Sequence, residues 1–340
     1  MIAPLTPYLA QLARGETLSA DDMRAAMATL LKGEASEVET AGFLMGLRAR
    51  GETIEEIAAA AEAMRALALR VDAPADAIDT CGTGGDGANT VNVSTAAALI
   101  AAGCGLPVAK HGNRAASSLS GSSDILSVLG VKLDVSAETI SRCIRKANVG
   151  FMFAALHHSA VANVAPVRKR LGVRTMFNVL GPLCNPAGAR RQVMGVFAKN
   201  LCEPIAHVLA RLGAERAWVV HGADGLDELT TTGVSYVAAL EDGAVRLFDV
   251  TPEDAGLQRD APAALKGGAP EENAAALRRL LDGEKSAYRN IAVLNAAAAL
   301  VVAQKAADLK DGAAQAAAAI DNGAAAKALA DLVRLTNEAH

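Results

Sequence analysis

Apolar residues at helical spacing fill the first part of the chain, and each stretch begins with the same polar pattern. A hydroxyl side chain stands three residues before a carboxylate, so that each side chain satisfies a free backbone N–H of the first helical turn. The pairs are Ser19 with Asp22, Ser36 with Glu39, and Thr53 with Glu56. Gly33 and Gly51 stand where helices are expected to end. The pattern predicts a small all-helical domain over residues 1–72.

From Ala73 onward the pattern changes to short apolar runs, each followed by a glycine-rich or polar turn and then by a helical pattern. This alternation predicts a larger α/β domain over residues 73–340, with a mostly parallel central sheet covered by helices. Ligands of such sheets bind at the carboxyl ends of the strands. The runs are residues 77–78, 106–109, 149–153, 193–197 and 217–220.

The last third of the chain contains a hairpin pattern and then helices. Residues 234–240 and 245–250 are predicted to form antiparallel strands joined at Asp242 and Gly243. Residues 252–270 are expected to form a loose connection, and the chain is predicted to be helical from Glu271 onward.

Composition narrows the class of partner. The chain has 33 Lys and Arg residues and 37 Asp and Glu residues, so no overall positive field attracts nucleic acid or an anionic membrane. The five cysteines are scattered without a CxxC pair, which favours reduced thiols over disulfides or a zinc site. The most apolar run, residues 291–303, contains Asn295 and is too short to span a bilayer. These features predict a cytoplasmic protein with a small-molecule ligand.

A glycine-dense loop over residues 79–87 follows the first predicted strand, shortly before residues 92–95 open a helix. Such a loop points several backbone N–H groups at one anion, and the helix N-terminus adds partial positive charge. The same composition is also typical of a flexible turn followed by an N-cap. The loop matches neither the GxGxxG nor the GxxxxGKS pattern, which disfavours dinucleotide-binding and P-loop sites.

Two further polar segments follow predicted strands. Residues 110–118 contain a lysine, an arginine and serines, which together suit a phosphate, although such a segment alone is typical of solvated surface. Within it, His111 is open to two interpretations, an acid–base group or a hydrogen-bond donor. The segment over residues 222–229 carries Asp227 and Glu228, whose adjacent carboxylates suit Mg²⁺ or form an acidic surface turn.

Taken together, the motifs between Asp79 and Glu228 resemble, in composition and order, those of the anthranilate phosphoribosyltransferases. They are residues 79–86, 92–95, 110–113 with 118–122, 174–178 with 181–186, and 227–228. The resemblance implies a small helical domain, with a contribution from about residues 165–190, joined to a larger α/β domain as in pyrimidine nucleoside phosphorylases. It also implies an active site in the cleft between them and a homodimer formed through the helical domain.

The activity implied by the resemblance is transfer of the phosphoribosyl group of phosphoribosyl diphosphate (PRPP) to the amine of anthranilate. The products are N-phosphoribosylanthranilate and diphosphate, in the second step of tryptophan biosynthesis from chorismate. The implied magnesium ligands, for two ions per subunit, are Ser94, Asp227 and Glu228. The implied anthranilate contacts are Gly82, Asn113 and Arg168. The implied PRPP site comprises Gly82, Gly85, Asp86, Thr90, Asn92, Val93, Ser94, Thr95, Lys110, His111, Gly112, Asn113, Arg114, Ala115, Ala116, Ser117, Ser118 and Ser122.

Two observations concern the anthranilate side of the site. Arg168 lies in a basic stretch that is otherwise typical of solvated surface, but a guanidinium matches the flat carboxylate of anthranilate. Residues 157–163 depart from the family pattern, because the paired histidines are not followed by the usual proline and basic residue. Substrate approach at this segment is therefore expected to differ from the family norm.

Two other functions on this fold make demands that the sequence does not meet. A pyrimidine nucleoside phosphorylase needs no metal-bound diphosphate, so the pair Asp227 and Glu228 and the surroundings of Arg168 count against it. A non-enzymatic relative that binds nucleic acid would need a basic groove and degraded metal ligands, whereas this chain has a net charge of −4 and keeps those ligands. No general base is assigned, because an aromatic amine is already neutral near pH 7.

Overall fold

The computed structural model describes residues 4–114 and 119–338, which form a helical unit packed against an α/β unit. The predicted fold class is confirmed. The strands are β1 (Ile78–Gly82), β2 (Val108–Gly112), β3 (Val149–Phe153), β4 (Arg191–Gly195), β5 (Arg216–Gly222), β6 (Ser235–Glu241) and β7 (Ala244–Val250). The helices are α1 (Thr6–Ala13), α2 (Ala20–Lys32), α3 (Glu37–Arg50), α4 (Ile54–Ala66), α5 (Val93–Gly103), α6 (Ser122–Val128), α7 (Ala137–Ala147), α8 (Ala154–His157), α9 (Ala165–Leu171), α10 (Phe177–Leu183), α11 (Cys202–Arg211), α12 (Pro270–Leu281), α13 (Ala287–Val302), α14 (Leu309–Asp321) and α15 (Ala324–Asn337).

The N-terminal helices begin and end where the capping pattern predicts. Ser19 accepts a hydrogen bond from the N–H of Asp22, and the starts of α3 and α4 form complete capping boxes. Gly33 terminates α2 in the left-handed conformation that glycine adopts without strain. The fourth helix ends at Ala66, without a glycine at its C-terminus. Local polar chemistry therefore determines most of these boundaries.

The sheet has seven strands in the order β3-β2-β1-β4-β5-β6-β7. Pairs from β3 to β5 are parallel, and β6 and β7 form the predicted antiparallel hairpin. Strands β2 and β3 lie on one side of β1, whereas β4 lies on its other side. The helices that follow β1 and β4, α5 and α11, pack into the cores on opposite faces of the sheet, which makes the carboxyl edge between these two strands a topological switch point.

Side chains along the strands alternate between two cores. Trp218 and Val220 face the core formed with α5 and the C-terminal helices, whereas Val219 faces the core shared with the helical unit and α11. Helix α9 packs on α3, and α10 packs on α4. Residues from both sides of the cleft thus share one continuous core.

The segment between β7 and α12 is ordered rather than a loose connection, so this expectation was wrong. Pro252–Ala255 and Pro262–Leu265 are short 3₁₀ helices, and Leu265 is buried. Lys266 forms an antiparallel bridge with Thr90. Tertiary contacts with the loop before α5 order a segment whose sequence has no repeating pattern. No helix within residues 4–114 or 119–338 is long and apolar enough to cross a membrane.

Candidate active site

The glycine loop after β1 and the acidic turn after β5 meet at the carboxyl edge of the sheet. The N–H of Gly84 donates to Oδ2 of Asp227 at 2.6 Å. Glycine is required on both facing strands, because a Cβ on Gly82 would overlap the Asp227 carboxylate and one on Gly195 would overlap its backbone carbonyl. This close approach puts a carboxylate directly beneath the loop.

Arg174 closes over the glycine loop from the connection between α9 and α10. Its Nη2 donates to the carbonyl oxygen of Gly85, and its guanidinium stacks on the ring of Phe197, 4.2 Å from the centroid. The N–H of Phe197 in turn donates to Oγ1 of Thr83 at 3.1 Å. The sequence motif contained Arg174 but gave it no role, because a contact across 89 residues leaves no local pattern.

The N-terminus of α5 faces the same acidic turn. The N–H of Ser94 donates to Oε1 of Glu228 at 3.1 Å, and Nζ of Lys110 donates to Oγ of Ser94 at 3.3 Å. Nζ of Lys110 also donates to the carbonyl of Thr80 at 2.5 Å. Residues of β1, β2, the start of α5 and the turn after β5 therefore lie close together.

The electrostatics of the acidic pair favour a bound cation. Burial, followed by the charge of Asp86, raises the pKa of Asp227 to about 6. Burial and the neighbouring Asp227 raise the pKa of Glu228 well above its ordinary value, against the opposing effect of Lys110. Both carboxylates are thus held where their charged forms are disfavoured unless positive charge lies beside them.

The donor chemistry fits Mg²⁺. Two carboxylates and the Ser94 hydroxyl are hard oxygen ligands, which Mg²⁺ combines with waters and substrate phosphates. Within residues 4–114 and 119–338, no group of three or more His, Cys, Asp or Glu side chains is arranged to hold a metal ion.

Asp79, at the start of the glycine motif, anchors the second loop. It is completely buried, and its Oδ1 accepts from the N–H of His111 at 3.1 Å. Its Oδ2 accepts from Nδ2 of Asn185 at 2.8 Å, and the same Nδ2 donates to the carbonyl of Ala109 at 2.9 Å. This network fixes the backbone that carries Lys110 and His111. Both residues lie within β2, which continues to Gly112 rather than ending at residue 109 as expected. Sequence reasoning missed it, because Asn185 lies 106 residues from Asp79.

His111 lies in a buried environment that disfavours acid–base chemistry. Burial, together with the nearby His158, lowers its pKa to about 3. The two rings meet edge to face with centroids 5.1 Å apart. The imidazole is therefore neutral near pH 7 and accepts a proton poorly, which favours the hydrogen-bonding interpretation.

The other predicted PRPP residues within the described part of the chain follow β1 and β2, and their side chains differ in exposure. Val93 and Thr95 turn their side chains into the core. Ser122 donates its hydroxyl to the carbonyl of Asn113 at 3.3 Å, and Arg114 lies 5.8 Å from the ring centroid of Phe153. Ala115, Ala116, Ser117 and Ser118 lie outside the described residues.

Asn92, by contrast, does not cap α5 with its side chain. Its Nδ2 donates to the carbonyl of Ser120 at 3.2 Å, and its Oδ1 accepts from Asn273 at 2.9 Å. The amide therefore joins the start of α5 to α12 and to the loop before α6.

Arg168 lies on the helical side of the cleft. It is half-buried in α9, with its guanidinium 5.1 Å from the ring centroid of Phe177, and burial lowers its pKa. Across the described part of the chain it forms no ion pair and no side-chain hydrogen bond, whereas Arg170 on the same helix pairs with Glu37. A half-buried cation without a carboxylate partner suits an anionic ligand.

The segment that departs from the family pattern contacts the helical unit. Nδ1 of His157 lies 2.6 Å from the carbonyl of Leu69, and the N–H of Leu69 donates to the carbonyl of His157 at 2.9 Å. Nδ2 of Asn163 donates to the carbonyl of Leu31 at 2.7 Å, near the end of α2. The segment thus ties the cleft wall to the helical unit.

Known proteins of one family match this chain along nearly its whole length. The helical bundle domain of a glycosyl transferase family matches residues 6–68, and the a/b domain of that family matches residues 74–326. The anthranilate phosphoribosyltransferase of Beijerinckia indica is 58% identical over 98% of this chain and 97% of its own length.

Solved structures agree with these matches. The crystal structure of anthranilate phosphoribosyltransferase from Thermus thermophilus is 45% identical with a TM-score of 0.92, over 97% of this chain and 99% of that one. The Saccharomyces cerevisiae protein of the same name, in complex with PRPP and Mg, is 29% identical with a TM-score of 0.89. The match covers 98% of this chain and 97% of the yeast chain. It has also been solved with 4-fluoroanthranilate. These matches confirm the resemblance carried by the motifs: the chain belongs to the anthranilate phosphoribosyltransferase family.

Proposed function

We propose that this chain transfers the phosphoribosyl group of PRPP to the amine of anthranilate, in tryptophan biosynthesis, and releases diphosphate. The observation that carries the proposal is the meeting of a glycine loop with a buried acidic pair through Gly84 and Asp227. An anion-binding loop directly above carboxylates suits a substrate that brings both phosphate groups and a divalent cation.

PRPP is proposed to lie along the carboxyl edge of the sheet. The glycine loop and the N-terminus of α5 offer backbone N–H groups and partial positive charge, and Lys110 adds a full positive charge beside Ser94. Departure of diphosphate from the ribose carbon concentrates negative charge on the leaving group. These fixed donors stabilise that charge without having to reorganise.

Mg²⁺ is the proposed cofactor, with two ions per subunit held by Ser94, Asp227 and Glu228. When bound, Mg²⁺ would neutralise the negative charge of the diphosphate. The raised pKa of both carboxyl groups supports this assignment. Two buried carboxylates repel a negatively charged diphosphate unless a cation lies between the carboxylates and the diphosphate. The complex of the yeast relative with PRPP and Mg supports magnesium as the cofactor.

Anthranilate is proposed to bind on the helical side of the cleft, opposite PRPP. Its carboxylate would pair with Arg168, and Gly82 and Asn113 would make further contacts. The half-buried guanidinium of Arg168 supports this placement. The aromatic amine is neutral near pH 7, and the anilinium formed on attack is acidic enough to lose its proton to water. No general base is needed, which agrees with the low pKa of His111.

We further propose a cytoplasmic homodimer formed through the helical domain, taken as residues 1–72 with a contribution from about residues 165–190. Helix α3 supports this interface, because Val38 is 83% exposed and Met45, two turns later, is 36% exposed. A groove between α1 and α3 lies on the same unit; most of its lining is apolar, including Leu9, Leu12, Ala13 and Ala49, and Arg50 also lines it.

Product analysis tests the proposed reaction. Purified protein with PRPP and Mg²⁺ should release diphosphate only when anthranilate is added. A nucleoside phosphorylase would instead cleave a pyrimidine nucleoside with inorganic phosphate, and a nucleic-acid-binding relative would turn over neither pair. Phosphorolysis without anthranilate-dependent diphosphate release would overturn the proposal.

A further inference from the structure

Helix α13 carries one buried amide, Asn295, within an otherwise apolar stretch. Its side chain is 2% exposed and pairs with both backbone groups of Leu229. Oδ1 accepts from the N–H of Leu229 at 3.0 Å, and Nδ2 donates to the carbonyl of Leu229 at 2.8 Å. Leu229 directly follows Glu228, so this amide holds the backbone of the acidic turn from behind.

The same helix holds the other half of the site through Tyr288. Its hydroxyl donates to the carbonyl of Asn92 at 3.0 Å, and its side chain is 5% exposed. Asn92 is the N-cap of α5, two residues before Ser94. Tyr288 and Asn295 are seven residues apart, which is about two helical turns, so both project from one face of α13.

The contacts of Tyr288 and Asn295 lie on either side of the hydrogen bond between Ser94 and Glu228, which joins the start of α5 to the acidic turn. Tyr288 fixes the backbone on the Ser94 side, Asn295 fixes it on the Glu228 side, and the N–H of Ser94 meets Oε1 of Glu228 between them. Helix α13 also packs along α5. A rigid helix with two polar contacts on one face therefore determines the separation of the two loops.

We propose that Tyr288 and Asn295 are positioning residues that hold the α5 N-terminus and the acidic turn at the separation needed to bind a divalent cation with PRPP. The inference rests on the proposed function. Both side chains contact backbone atoms next to the proposed metal ligands, so each would act through the backbone of those ligands. Removing Asn295 leaves a buried N–H and C=O of Leu229 without partners, and the turn relaxes to recover them.

Two variants of different severity test this role. Tyr288→Phe removes a single hydroxyl and keeps the ring, whereas Asn295→Ala removes both contacts to Leu229. Leu300→Ala is the matched control, because Leu300 is completely buried in the same helix but lies outside both polar contacts. Equilibrium binding of Mn²⁺ in the presence of PRPP, followed by the paramagnetic resonance of free Mn²⁺, gives a readout that needs no turnover.

The variants should weaken Mn²⁺ binding and raise the KM for PRPP while leaving the KM for anthranilate within about twofold. For Asn295→Ala we expect a loss of about 10- to 100-fold, typical of residues that orient metal ligands. Tyr288→Phe should lose less, and Leu300→Ala should lower the Tm without changing Mn²⁺ binding. Unchanged Mn²⁺ binding in Tyr288→Phe and in folded Asn295→Ala would overturn the inference, as would an equal rise in both KM values.

Combination with Glu228→Gln separates this inference from the proposed function. If Asn295 acts through Glu228, Asn295→Ala should weaken Mn²⁺ binding much less in the Glu228→Gln background than in the wild type. Undiminished weakening there would show that Asn295 acts elsewhere and would overturn the inference. If Glu228→Gln alone leaves Mn²⁺ binding with PRPP unchanged, the proposed metal site itself is wrong.

Discussion

Gly84 donates its backbone N–H to the carboxylate of Asp227 across 143 residues of sequence, and so joins the glycine loop to the acidic turn. The contact forms because β1 and β5 both flank β4, with their carboxyl ends at the same edge. The carboxylate of Asp227 therefore has a fixed position below the loop. Changes on either side of this contact should act on PRPP binding.

Gly195→Ala tests how closely the strands must approach the acidic turn. A methyl group at this position would overlap the carbonyl oxygen of Asp227 and push the turn away. Activity should fall by about a hundredfold, the cost of misplacing a reacting group by about 1 Å. Gly233→Ala is the control, because a Cβ there meets open space. Equal rates for both variants would show that the turn adjusts freely.

Arg168→Ala should raise the KM for anthranilate far more than the KM for PRPP. Loss of a charge-assisted bond costs about 1.5–3 kcal/mol, which corresponds to roughly 10- to 100-fold. Arg170→Ala provides a matched loss of charge on the same helix, at an exposed residue paired with Glu37. Steady-state kinetics with each substrate varied in turn measures both constants. Similar increases in the two constants would remove Arg168 from the anthranilate site.

The buried histidines should make the protein less stable as the pH falls. Burial lowers the pKa of His158 to about 4, against an ordinary value of 6.5. The unfolded chain therefore binds the proton first, and stability decreases from about pH 6.5 down to about pH 4, by about 1.4 kcal/mol per pH unit for each such group. Carboxyl groups with a raised pKa act in the opposite direction, so a variant is needed to isolate the histidine.

Urea unfolding of wild type and His158→Gln at pH 7 and pH 5 measures this contribution. Wild type should lose stability relative to the variant at the lower pH, whereas the exposed His207→Gln should behave as wild type does. A constant difference between wild type and His158→Gln at both values would contradict a buried neutral imidazole.

Val38→Glu should dissociate the proposed dimer. A charge at the centre of an apolar interface between helices loses its hydration without gaining a partner. Sedimentation velocity at several concentrations compares this variant with Leu247→Glu, which adds the same charge at an exposed leucine of β7. If Leu247→Glu dissociates the protein and Val38→Glu does not, the interface lies elsewhere.

Local features of the fold were predictable because the sequence contains their causes. The capping pairs of α3 and α4 and the strand Val149–Phe153 form as expected. The expected strand at residues 193–197 instead ends at Gly195. The apolar residues continue to Phe197, beyond the end of the strand, because the Phe197 ring packs under the guanidinium of Arg174. The apolar pattern alone does not indicate this tertiary contact.

The motifs of the candidate site were visible in the sequence, but the residues that hold them were not. Loops after parallel strands must share one edge, so the approach of Gly84 to Asp227 follows from topology. The roles of Asn185, Arg174 and Asn295 depend on side chains that reach distant backbone atoms. Asn295 gave only a weak signal, as a single amide in an apolar helix.

The most direct test is a Mg²⁺ titration of the initial rate of anthranilate fluorescence loss with PRPP present. Wild type is compared with the double variant Asp227→Asn and Glu228→Gln, which keeps side-chain size and removes two charges. The maximal rate of the double variant should fall by about a hundredfold or more, and its Mg²⁺ midpoint should move to higher concentration. Identical midpoints and maximal rates, with both proteins folded, would contradict the central claim that this acidic pair holds the metal against PRPP.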